Sequence, residues 1–276
     1  MNRFRDNKVE YLKYDYNYME LSPKYYLPIA GSLIVLFICF RNYKKRKLPA
    51  DDEEVQARKP VKNTDPVVLE CEKVTELKVL LKEQASEGWD TIKETESLQV
   101  YKKIAENSPV AIIKARLVLK DTKVDDAFFA IWDGEFRREW DSVAKDFHVI
   151  EKFAEDSDII YFYAASPMPS LVSNREFVQN RRYVKENDST YIVYWSADKP
   201  ERPVPDNWVR ANTILSGYCI TKVNEGVTVE FISQNDVKGK IPPKLINALA
   251  PSKALEWAKK FTKACQMLKE KKDKAV

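Results

Sequence analysis

From Trp89 to Val237 the chain is written in short runs of β-branched and aromatic residues parted by turn signals, and it ends in one long amphipathic helical pattern. That combination constrains the fold more than any other feature. Runs at Trp89–Thr95, Leu98–Ala105, Val110–Lys120, Phe147–Phe153, Ile159–Ala165, the stretch through Arg175 and Tyr183, Thr190–Ala197, Val209–Val223 and Gly226–Val237 read as strands. Neighbouring strands joined by short turns pair antiparallel. Asp65-Pro66 predicts a helix start, with Val67, Cys71, Val74, Leu77 and Leu81 on one face. Asp121–Asp141 turns helical, with Val124, Phe128, Ile131 and Trp132 sharing a face and Gly134 breaking it. After Pro242 and Pro243 the C-terminus is helical; Pro251 is expected to divide it, and Trp257, Ala258, Phe261, Ala264, Cys265 and Leu268 form its apolar face. The sum is an α+β domain: a curved antiparallel sheet of about nine strands wrapped on a long C-terminal helix. A cavity remains wherever the inward residues are not all large.

The segment SPMPSLVSNREFVQNRRY, Ser166 to Tyr183, stands at the centre of this order. Pro167 and Pro169 break the chain between two strand runs, and Met168, Leu171 and Val172 form an apolar tip. A loop tucked onto its own core is one reading. The other is a gate or membrane-touching tip over a cavity, with Trp257 and Phe261 of the C-terminal helix as its counterpart. The Asp198–Trp208 stretch is too rich in proline for a central strand.

Composition narrows the chemistry. The chain has one histidine, His148, which removes histidine triads and multi-histidine metal sites. Four cysteines, Cys39, Cys71, Cys219 and Cys265, form no CxxC pair and suit a reducing compartment. A net charge of +4 over 276 residues, with no recognition motif, does not point to nucleic acid. No nucleophile–base pair, glycine-rich phosphate loop or metal spacing is visible, so no catalytic residue, cofactor or metal ligand is expected. A cavity without chemistry suggests carriage or sensing, not an enzyme. Protein partners are not indicated.

Residues 1–24 read as a tyrosine-rich tail. Residues 25–40, YYLPIAGSLIVLFICF, carry no charge and are followed at once by RNYKKRK. As a helix this run spans ~24 Å, short for a ~30 Å hydrocarbon core, yet it is apolar on every face. Snorkelling Arg41 and Lys44 lengthen it. A transmembrane signal anchor is expected; a cleaved signal peptide and a soluble core element are the alternatives. The denser basic cluster on its C-terminal side places the bulk of the chain in the cytosol. Residues 41–64 form a charged linker, and residues 65–276 the folded domain.

The motifs FRREWD (Phe136–Asp141), SNREFVQNRR (Ser173–Arg182), WVRAN (Trp208–Asn212), and IPPKLIN followed by ALEWAKKFTKACQML carry a resemblance. From Asp65 to Lys269 the chain resembles a START (steroidogenic-acute-regulatory-related lipid transfer) domain, closest to the phosphatidylcholine-transfer-protein group. The resemblance implies a helix-grip fold holding one lipid. It implies that Arg137 binds the lipid phosphate, that Asp141 pairs with it, and that Arg181 lines the cavity. Phe162 and Phe177 match two positions of a choline-binding aromatic cage. Ile214 falls near the third, where a ring is expected; Tyr218 is a candidate substitute. The alternative for Arg137 and Asp141 is a surface ion pair worth less than ~1 kcal/mol, and for the phenylalanines it is plain core. The ligand implied is a phospholipid, phosphatidylcholine first, with sterol or ceramide as the alternative. Outside the resemblance, the short and moderately apolar anchor run suits the mitochondrial outer membrane or the endoplasmic reticulum. Transfer between membranes is the favoured activity, and sensing or tethering the alternative.

Overall fold

In the computed structural model residues 61–276 form one compact unit. Residues 66–105, 108–166, 172–199 and 201–274 are described, with side chains from Glu72 onward. The expected tail, the anchor run and the charged linker therefore lie outside the described residues, as do Met168 and Leu171.

Helix α1 (Pro66–Lys82) leads into strands β1 (Asp90–Glu94), β2 (Leu98–Ile104) and β3 (Ala111–Lys120). Two short helices follow, α2 (Val124–Trp132) and α3 (Gly134–Trp140). Then come β4 (Lys145–Lys152), β5 (Ser157–Ala164), β6 (Arg175–Glu186) and β7 (Ser189–Ser196). A two-residue β8 (Val209–Arg210), β9 (Asn212–Val223), β10 (Gly226–Asp236) and helix α4 (Pro243–Asp273) complete the domain. The sheet runs in the order β1-β2-β3-β10-β9-β7-β6-β5-β4, and β8 pairs off this path with β6. Every pair is antiparallel except β6 with β8, which is parallel. The expected last hairpin thus loses its first two residues to β8, because Ala211 donates to the Glu176 carbonyl and redirects the chain toward β6.

Alternation along the strands sends two sets of side chains to opposite faces. On one face Val74, Leu77 and Leu81 of α1 meet Ile112, Val193, Trp195, Leu215, Cys219 and Ile232. Gly217 seats this helix: a Cβ there would come within 2.5 Å of a Leu77 methyl and 2.7 Å of the Ile192 carbonyl. Lys114, buried on the same face, donates to the carbonyls of Leu80, Leu81 and Glu83 and so caps the C-terminus of α1. Burial lowers the pKa of its ammonium, opposed by Glu230, Glu83 and Glu87.

The other face carries the main core. Ala111, Ile113, Ala115, Leu117 and Leu119 of β3 pack with Val227, Val229 and Phe231 of β10 against α2, α3 and α4. On α4 the buried positions are Pro251, Ala254, Ala258, Phe261, Ala264, Cys265 and Leu268. The small residues among them let the helix lie close to the sheet. The expected division at Pro251 is corrected: α4 runs unbroken through it. A proline forfeits one backbone bond and crowds the preceding turn, but Pro251 is itself buried against the core. Asn247, one turn earlier, accepts from the Ala111 amide and donates to the Pro109 carbonyl, which clasps the N-terminal half of the helix to the start of β3. At the far end Lys271 pairs with Glu139, and Lys272 with the buried Asp126.

Candidate functional site

The C-terminus of α2 organises the interior. A helix end leaves four carbonyls without intrahelical partners, and here each finds one. The Asp133 amide donates to Phe129, the Trp140 indole to Ala130, the Arg137 guanidinium to Ile131 and the Arg181 guanidinium to Trp132. Asp133 serves two helices, since its side chain also accepts from the Phe136 amide and starts α3. Two cations at a helix C-terminus further suit its negative end.

Arg137 on α3 and Asp141, the residue that caps its C-terminus, lie one turn apart and are both buried, with side chains 10% and 6% exposed. The surface-pair alternative does not hold. Nε and Nη2 of Arg137 both donate to Oδ2 of Asp141, at 3.1 and 3.0 Å, while Oδ1 accepts from the Val143 amide. The guanidinium sits 5.6 Å from the Trp140 ring and 5.5 Å from the Phe147 ring. The Tyr218 hydroxyl stands beside it. Burial works against the charge, but the anionic and hydrogen-bonding surroundings, Asp141 among them, outweigh it and the pKa is raised. A guanidinium carries five N–H groups. The bonds to Asp141 and Ile131 use three of them and the Tyr218 hydroxyl faces a fourth, so one N–H remains.

Around this cation lies an aromatic shell. Tyr218 packs at 5.9 Å from Tyr194 and 5.3 Å from Trp257, and Trp257 stacks on Phe261 at 4.8 Å. Burial raises the Tyr218 hydroxyl pKa and pushes that of Tyr194 up to about 12, with Arg137 pulling the other way at both. Both rings therefore keep a neutral O–H at physiological pH. The Tyr194 hydroxyl and the Trp257 indole nitrogen are buried and make no hydrogen bond with the described residues. No spacing argument pointed to Tyr194. Its signal was a tyrosine on the buried parity of a strand, where a phenol needs a partner.

Phe162 and Phe177 are direct cross-strand partners and stack at 4.7 Å with planes 7° apart. Phe147 extends the column at 6.1 Å. Tyr218 lies in the other cluster, with Trp257 and Phe231. Among the described ring contacts, none joins Tyr218 to Phe162 or Phe177.

Arg181 is 2% exposed and committed to the protein. It grips both oxygens of Asp158, its partner across the β5–β6 pair, at 2.8 and 2.5 Å. It also stacks 3.7 Å over the Trp132 ring. Its fork thus locks β5 and β6 to the end of α2.

Of the expected gate residues, Val172 is half-buried, and Met168 and Leu171 lie outside the described residues. The base of their loop is held by the Ser166 amide donating to Asn174. Arg175 ties the loop's far end, at the Ser173 carbonyl, to those of Val237 and Lys238 on the approach to α4. Trp257 and Phe261 are not presented outward: Phe261 is fully buried and Trp257 turns into the aromatic shell. Both rings thus line the interior side of α4, with Trp257 partly exposed. Among the described residues no cluster of His, Cys, Asp or Glu could hold a metal ion.

A sheet gripping a long helix, with a charged, donor-rich pair inside an aromatic interior, defines a helix-grip domain. The START domain family profile matches residues 69–271, and the chain belongs to that family. It is 25% identical over 193 residues to human START domain-containing protein 10, covering 69% of this chain and 66% of the relative. It is 24% identical over 188 residues to bovine phosphatidylcholine transfer protein, covering 66% of this chain and 86% of the relative. Human ceramide transfer protein is 24% identical over 198 residues, which are 65% of this chain and 32% of that one. The chain thus spans just under two thirds of START domain-containing protein 10 and about a third of ceramide transfer protein. The crystal structure of human STARD10 superposes with a TM-score of 0.66 at 23% identity, covering 80% of this chain and 87% of that one. Human StAR-related lipid transfer protein 5 gives 0.65 at 17% identity, covering 73% and 97%.

Proposed function

We infer that this protein binds one glycerophospholipid, phosphatidylcholine first, in the interior around Arg137 and carries it between membranes. The observation that supports this most is the buried Arg137: its charge is held among aromatic rings, and its fork keeps an N–H beyond those facing Asp141, Ile131 and Tyr218. An anionic phosphodiester makes a charge-assisted bond to such a cation, whereas a sterol offers a single neutral hydroxyl. The stacked Phe162–Phe177 pair is an apolar wall against which a choline cation can rest. The relatives named for phosphatidylcholine and ceramide transfer are consistent with a lipid cargo.

The physics explains why such a carrier is useful. Two acyl chains hold roughly thirty methylenes, and at ~0.8 kcal/mol each their exposure costs on the order of 20 kcal/mol. An apolar interior offsets nearly all of this, so the barrier becomes opening the protein. The loop through Leu171 and Val172 and the N-terminal half of α4 are the proposed moving parts. The test is transfer of labelled phosphatidylcholine from vesicles carrying the full-length chain to acceptor vesicles. Transfer well above the spontaneous rate supports carriage; loading without faster transfer would make the protein a sensor. In the same assay Leu171→Asp/Val172→Asp is expected to slow transfer several-fold with little loss of stability, because a charged tip resists entering the interface.

We place the protein on a membrane, the mitochondrial outer membrane or endoplasmic reticulum, through residues 25–40, with the domain facing the cytosol. Among the described residues no helix is long and apolar enough to cross a bilayer, and this run lies outside them. Full-length chain is expected to resist alkaline carbonate extraction; release into the supernatant would remove the anchor.

A further inference from the structure

Trp257 is a donor with nothing to donate to. Its indole nitrogen is buried without a hydrogen-bond partner among the described residues, and an indole N–H has no acceptor capacity that could serve instead. Packing alone does not explain an indole here. The ring stacks on Phe261 at 4.8 Å and on Tyr218 at 5.3 Å, and meets Phe231 edge-on at 4.7 Å, contacts that a phenylalanine ring also makes. Its place relative to Arg137 is specific. Tyr218 is the ring whose hydroxyl stands beside that guanidinium, and Trp140, 6.4 Å from Trp257, is a ring the guanidinium covers. The indole therefore lies one ring away from the Arg137 donors, on the side of the interior formed by α4.

A phospholipid held by its phosphate at Arg137 carries its next acceptors, the ester carbonyls of its glycerol backbone, a few bonds further along. We propose, resting on the phospholipid reading above, that Trp257 donates its indole N–H to one of these ester carbonyls and makes the site selective for ester-linked over ether-linked lipids. An ether oxygen is a poorer acceptor and lacks the carbonyl's reach. Because α4 carries Trp257, the bond forms only when that helix lies against the sheet. A bound ester lipid therefore holds the helix closed, with Asn247 clasping the same half of it to β3.

The test offers the full-length chain vesicles of diester phosphatidylcholine in competition with its diether analogue of matched chains. The wild type is expected to prefer the diester by about three- to tenfold, the range of one neutral hydrogen bond. Trp257→Phe keeps a ring and removes the N–H, and is expected to bring this ratio to about one. If the variant does not fold, the wild-type indole N–H proton resonances are read instead: one moves downfield on adding diester lipid and stays in place with diether lipid. A preference that survives Trp257→Phe, equal uptake of both lipids by the wild type, or indole resonances blind to the diester would overturn the proposal. Failure of the phospholipid reading looks different. Neither phosphatidylcholine would then be taken up while a sterol or ceramide is, and this inference would fall with it.

Discussion

Arg181→Ala is expected to destabilise the folded domain by about 3–5 kcal/mol, the range for removing one partner of a buried ion pair. Asp158 would be left charged and buried without the fork that satisfies both its oxygens. The Trp132 carbonyl at the end of α2 would lose its donor, and the Trp132 ring its cation. Chemical denaturation reads the loss directly as a fall in midpoint. Arg181→Lys keeps a charge but not the bidentate geometry, and is expected to recover only part of it. Removing both partners by Arg181→Met with Asp158→Leu is expected to cost less than the alanine variant, since the larger penalty is the charge left behind. A denaturation midpoint unmoved in Arg181→Ala would return this arginine to the ligand-binding role that family resemblance implies.

Arg137→Ala is expected to lower phospholipid occupancy per folded molecule by one to two orders of magnitude, about 1.5–3 kcal/mol for a charged donor. The variant is also less stable, because Asp141 loses its partner. Occupancy must therefore be scored on the folded fraction. Arg137→Lys separates charge from geometry. A single ammonium keeps the charge but cannot hold Asp141 twice, reach the Ile131 carbonyl and still present a planar fork. It is expected to fall between alanine and wild type. Asp141→Asn leaves Arg137 charged and its guanidinium less firmly oriented, which weakens loading less than loss of the arginine itself.

The fold was legible because its signals are local. Alternation and turn chemistry placed nine runs, and the periodicity of α4 picked out Ala258, Phe261, Ala264, Cys265 and Leu268 as its buried face. Pro251 misled because local propensity counts the missing backbone bond but not the packing that holds a helix through it. The tenth strand escaped because two residues carry no period. The site was half legible. Arg137 and Asp141 are four apart on one helix, so spacing alone put them on one face. The partner of Arg181 is 23 residues earlier, and only the register of β5 on β6 brings the two together. Nothing in the one-dimensional pattern could show that this arginine is already spent. The ring partners of Trp257 were hidden for a related reason. Amphipathic spacing assigns a residue to a face of its helix, not to the ring that meets it across the interior.

The most direct test of the whole account is native mass spectrometry of the purified full-length chain, released gently from detergent. One phospholipid per protein, dominated by phosphatidylcholine and largely lost in Arg137→Ala, is the predicted result. Co-purified sterol or ceramide in place of phospholipid, or undiminished phospholipid occupancy in the folded Arg137→Ala protein, would contradict it and leave the Arg137–Asp141 pair as a purely structural cap on α2.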